Sequence, residues 1–188
     1  MNYTADDIAN FFSQYRENIS HVCVLHTDIH TFGLPQRVID RKTDEAKADL
    51  RHALNVFCRL LYPEHPNYPR RKPRLYRPLC FVTIEGASET LDRAQTVHFN
   101  LSLGNLPREL STQQIAKHIR HAWHEVVGQS DDIFVGDVAT HSSDVCRWIG
   151  YGVKEAQKDR KKAWLTEGVW DVCNSWIPHE ALKQTEVS

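Results

Sequence analysis

A chain of 188 residues, 41% hydrophobic and 25% charged, has enough apolar side chain for one well-buried domain. A net charge of −1 excludes a global basic field that would draw it onto nucleic acid, and no apolar run reaches the roughly 18 residues of a membrane span. The five cysteines (Cys23, Cys58, Cys80, Cys146, Cys173) are scattered, odd in number and without a CxxC pair, which argues against a disulfide framework and a cysteine zinc site. Asp6 and Asp7 stand where a signal peptide would be basic, so the sequence points to a reduced, cytoplasmic protein.

The expected organisation is one domain over residues 1–188, with 62–78 a loop and 161–188 a helical appendage. Residues 4–18 read as a short amphipathic helix with Ile8, Phe11, Phe12 and Tyr15 on one side. HVCVLHTDIH (21–30) is rich in Val and Ile and roughly alternating, which predicts a strand. Thr43, followed by Asp44 and Glu45, opens a predicted helix over 43–61 whose core stripe is Ala46, Leu50, Leu54, Phe57 and Leu61. Five prolines between Pro63 and Pro78 predict an extended loop without regular structure.

Residues 79–85 and 96–103 read as an antiparallel strand pair. Ser111 with Gln114 three residues on is a capping-box pattern, and Ile115, Ile119, Ala122 and Val126 form the apolar face of the helix it opens. A strand is expected over 132–138, a helix capped by Ser142 or Ser143 as far as 159, and a last helix carrying Trp164, Trp170 and Trp176 as core packing. These elements in this order define an α+β fold: a central, mostly antiparallel sheet flanked by helices.

Charge is locally uneven. Arg70, Arg71, Lys72, Arg74 and Arg77 crowd into the proline-rich segment beside Tyr62, Tyr68 and Tyr76, and Lys158, Arg160, Lys161 and Lys162 form a second basic run. Each is either a solvated face or a small nucleic-acid footprint, since arginine contacts phosphate and tyrosine stacks on bases.

Three short stretches carry the chemistry: FVTIEG (81–86), VHFNLSLGN (97–105) and WIGYGVKEA (148–156). Residues two apart on a strand share a face, so His98 and Asn100 project together while Phe99, Leu101 and Leu103 turn to the core. If the two strands pair, Glu85 meets His98. A carboxylate, an imidazole and an amide oxygen suit Mg²⁺ or Mn²⁺, because the oxygen donors are hard. On the later helix Val145, Ile149, Gly152, Val153 and Ala156 form an apolar face, leaving Arg147, Tyr151, Lys154 and Lys158 on the other. There Tyr151 can attack phosphorus, with Lys154 one turn away to position the phosphate. His26 or Asp28 is either a further ligand or a capping or surface residue. His118, His121 and His124, at i, i+3 and i+6, walk around a helix and cannot share one face.

A lone HxN or YxxK is commonplace; the order of the three stretches, after a strand ending in Glu, is what resembles a known family, the HUH endonucleases, and among them rolling-circle replication initiators with a single catalytic tyrosine. Over roughly residues 20–160, Glu85 matches the carboxylate slot, His98–Phe99–Asn100 the His-hydrophobic-His motif, and Tyr151 to Lys154 the Tyr-x-x-Lys motif. VLHTDIH (24–30) resembles the first family motif in position. The resemblance implies an RRM-related palm and a Mg²⁺ or Mn²⁺ site at Glu85, His98 and Asn100. It also implies nicking and strand transfer on single-stranded DNA or an origin hairpin, with the 5′ end kept on Tyr151. With no helicase domain following, a host helicase would be the partner in replication; a phage-encoded copy would act in the host cytoplasm. Asn100 departs from the family's second histidine, leaving as the alternative a non-catalytic, HUH-like DNA-binding protein or regulator of a phage, plasmid or other mobile element.

Overall fold

The computed structural model describes residues 4–89, 95–141, 145–154 and 169–177. Thr4 caps helix α1 (Ala5–Ser13) through a reciprocal box, its hydroxyl accepting from the Asp7 N–H at 3.1 Å while Asp7 accepts from the Thr4 N–H at 2.8 Å. A 3₁₀ turn (Arg16–Asn18) replaces the expected last turn of this helix and leads into strand β1 (Ile19–His30). Helix α2 (Gln36–Leu60) begins about two turns before the predicted Thr43. Pro35, extended at φ −63°, supplies the boundary, and Thr43 is a buried residue inside the helix rather than its cap.

The proline-rich segment is not wholly extended. It folds into two single-turn helices, α3 (Tyr68–Arg71) and α4 (Pro73–Tyr76). Pro69 and Pro73 stand in first-turn positions, where a missing N–H costs nothing. Strands β2 (Leu79–Glu85) and β3 (Thr96–Gly104) follow as predicted. Helix α5 (Thr112–Arg120) has the expected Ser111–Gln114 capping box, then widens into a π-helical segment, His121–Val126. That wider turn shifts the inward face: Trp123 is fully buried, whereas Val126, expected in the core, is 42% exposed. Strand β4 (Ile133–Asp137), helix α6 (Val138–His141) and helix α7 (Val145–Gly152) complete the order.

The fold is α+β. Its sheet has the order β2-β3-β1-β4 with every neighbouring pair antiparallel. Alternate residues of the same strands build two cores. On one face Cys23, Leu25, Val82, Ile84, Phe99 and Leu101 pack under Leu50, Leu54 and Phe57 of α2 and Ile115, Ile119 and Trp123 of the α5 arm. On the other, Val22, Leu79 and Phe81 meet Ile8 and Phe12 of α1 and Ile149 of α7, with the Phe12 and Phe81 rings stacked at 4.0 Å. Among the described residues, 169–177 are bridges and turns rather than the expected helix. Trp170 pairs with Thr83 and Trp176 with Cys80, covering the outer edge of β2. Ser142, Ser143, residues 155–168 (among them Ala156, Lys158, Arg160, Lys161, Lys162 and Trp164) and the tail from 178 lie outside the described residues.

No helix among the described residues is long and apolar enough to cross a membrane.

Candidate active site

Two neighbouring strands and one helix bring the predicted residues together. Glu85 is the last residue of β2, directly opposite His98, and Thr83 lies opposite Asn100. Glu85, His98, Thr83 and Asn100 therefore share the α1/α7 face. His98 Nε2 lies 3.1 Å from Glu85 Oε2, and Asn100 Nδ2 donates to the same oxygen at 3.4 Å. Beyond Glu85 the strand turns at Gly86, at φ +80°, where any Cβ would collide with the Thr96 carbonyl.

Helix α7 supplies the other half. Ile149 and Val153 are buried, whereas Tyr151 is 48% exposed and Arg147 is also on the solvent side, the division predicted from helical spacing. Gly152 lets this helix approach β2: a Cβ there would stand 2.8 Å from Thr83 Oγ1. The close approach carries Lys154 to the end of the strand, where its Nζ is 2.5 Å from Glu85 Oε1. The same ammonium lies 3.4 Å from the centre of the Tyr151 ring, and the Trp148 ring stacks with that of Tyr151 at 6.2 Å between centres. Lys154 thus joins the tyrosine to the carboxylate.

The charges are mutually stabilised. Burial pushes the Glu85 carboxyl up, but hydrogen bonds from His98 and Lys154, with their charge, outweigh it and hold the group at about 2. Burial pulls the Lys154 ammonium down, and hydrogen bonds with Glu85 and Tyr151 more than reverse this, raising it above the ordinary lysine range. His98 is held in place from two sides. Its Nδ1 lies 3.2 Å from the Thr96 carbonyl and its Nε2 faces Glu85, so the ring is anchored at both nitrogens. The His26 ring, register partner of His98 on β1, stacks on it at 4.8 Å.

The donors fit a hard divalent ion in kind. Asn100 is 3% exposed; its Nδ2 faces Glu85, and its Oδ1 is a buried acceptor with no hydrogen-bond partner among the described residues. No group of three His, Cys, Asp or Glu side chains gathers among the described residues, so an ion here depends on the Asn100 amide oxygen as third donor.

Other predicted residues are placed elsewhere. Arg70, Arg71, Lys72, Arg74 and Arg77 precede Leu79, at the opposite end of the seven-residue β2 from Glu85. That separation is about 20 Å along the strand. The nearby tyrosines pack on one another, Tyr76 lying 5.1 Å from Tyr62 and 4.8 Å from Tyr68, while Lys72 covers Tyr68 and Arg77 covers Trp176. Asp28 is exposed, and His121 and His124 bond Glu125 and the Gln129 carbonyl. Sequence reasoning missed the Gly152–Thr83 contact and the His26–His98 stack. The first has no sequence signal; the second follows from strand alternation only once β1 is known to neighbour β3.

Comparisons with protein-family models, curated proteins and solved structures found no match to this chain.

Proposed function

We propose that this protein is a metal-dependent endonuclease that nicks single-stranded DNA and transfers the strand, with Tyr151 as nucleophile. The observation that carries the reading is the convergence, at one end of β2 and β3, of an exposed tyrosine, a lysine lying on its ring and a Glu–His pair held by that lysine. The resemblance to HUH endonucleases supports it.

The Tyr151 hydroxyl oxygen bonds to phosphorus as the P–O3′ bond breaks. The tyrosine loses its proton, the departing oxygen gains one, and the products are a 5′-phosphotyrosine and a 3′-hydroxyl. Attack by a 3′-hydroxyl on the same phosphorus reverses the step and joins strands. Lys154 meets the negative charge that grows on the phosphate oxygens. Glu85, His98 and Asn100 would hold Mg²⁺ or Mn²⁺, which would polarise the phosphate when bound. His26 and the Thr96 carbonyl keep the His98 ring oriented.

A second reading, a DNA-binding protein without cleavage, is favoured by Asn100 standing where a second histidine would bind an ion more firmly. Incubation with end-labelled single-stranded DNA and Mn²⁺ separates the two. Wild-type protein is expected to form a denaturant-resistant adduct, absent in Tyr151→Phe with its thermal midpoint unchanged. Binding without an adduct supports the second reading, and an adduct retained by Tyr151→Phe removes the tyrosine from the mechanism.

A further inference from the structure

Both oxygens of Glu85 are already engaged. Oε1 takes the Lys154 ammonium at 2.5 Å, and Oε2 takes His98 at 3.1 Å and Asn100 at 3.4 Å. An ion that takes both oxygens of this carboxylate competes with the three partners for about four lone-pair sites and displaces at least one of them. His98 is fixed by the Thr96 carbonyl and the His26 ring, and Asn100 is buried on the strand. Lys154 alone sits on a long flexible stem, with its side chain 25% exposed. It also carries the charge an arriving cation repels.

We propose that Lys154 is a tethered cation that occupies Glu85 until a divalent ion replaces it, and that ion binding thereby frees the ammonium to meet the scissile phosphate beside Tyr151. The inference rests on the nicking function proposed above and adds how the site is switched. In the ion-free state the lysine keeps the carboxylate charged and the polar row paired. Its second neighbour, the Tyr151 ring at 3.4 Å, marks where the released ammonium stays. Coupling of this kind is reciprocal: an ion that weakens the Lys154–Glu85 pair binds more tightly when the lysine is gone. A lysine that only contacts phosphate would leave ion affinity alone, and one that only braces Glu85 would lower it when removed.

The test is the Mn²⁺ dissociation constant, read from the free-ion signal in electron paramagnetic resonance, without DNA. Lys154→Met is expected to bind Mn²⁺ about five- to tenfold more tightly than wild type, the lower part of the usual range for coupled sites. Lys154→Arg, whose guanidinium can grip both carboxylate oxygens, is expected to bind more weakly than wild type, and Glu85→Gln not to bind. Equal or weaker binding by a folded Lys154→Met overturns the proposal. If that variant does not fold, tighter binding by Lys154→Arg overturns it instead. Equal affinity in wild type and both lysine variants sinks this inference and leaves the nicking function standing. If no protein binds Mn²⁺, the metal-dependent reading falls and this one with it.

Discussion

The two faces of the sheet use alternate residues of the same strands to opposite ends. Val97, Phe99 and Leu101 of β3 are essentially inaccessible and pack under α2 and α5. Between them, His98 and Asn100 point the other way into a polar row with Glu85, and both sets of side chains are shielded from water. Burial alone therefore does not distinguish core from site. What differs is the neighbour: Phe99 and Leu101 meet apolar side chains from two helices, whereas the polar row, at one end of the face that α1 and α7 otherwise close with a second core, meets Lys154. The apolar face fixes strand position so that three or four polar groups on the reverse meet at hydrogen-bond distance.

Breaking the apolar face should cost most. Phe99→Ala removes a fully buried ring set edge-on to Trp123, and a loss of about 3–5 kcal/mol in chemical denaturation is expected. A loss no larger than that of a surface change would mean this face is not the main core. The polar face should show itself through pH. Glu85 titrates lower in the fold, at about 2, than its ordinary 4.5, so its contribution is complete above pH 4.5 and is lost as pH falls toward 2. The decline is on the order of 2 kcal/mol after screening, and Glu85→Gln should flatten stability across that window. Gly152→Ala tests how closely α7 must approach: a Cβ 2.8 Å from Thr83 Oγ1 should cost about 1 kcal/mol and lower adduct yield. Adding Thr83→Ala should recover both. Smallest of all, Arg70→Ala with Arg71→Ala should change the rate of adduct formation by less than about twofold at saturating DNA, because these residues precede the end of β2 opposite Glu85.

Much of this architecture was legible in residue periodicity. The alternation in residues 79–85 and 96–103 placed Glu85 beside His98, because a two-residue period fixes which side chains share a face. Helical spacing likewise put Tyr151 outward and Ile149 inward. Boundaries set by backbone geometry were not legible. Pro35 opens α2 without a side-chain cap, and first-turn prolines make helical turns where proline density suggested none. A π-helical segment exchanged Val126 for Trp123 at the core. The partners that hold the site, His26 against His98 and Gly152 against Thr83, depend on strand order and on the distance from helix to strand, which no local pattern records.

The most direct measurement is mass spectrometry of peptides from protein incubated with single-stranded DNA and Mn²⁺. A nucleotide remnant on the peptide that contains Tyr151, with its mass added at the tyrosine oxygen, is the predicted result. Cleaved DNA with no remnant, or a remnant on another residue, would contradict the claim that α7 presents Tyr151 beside this polar row for attack on phosphorus.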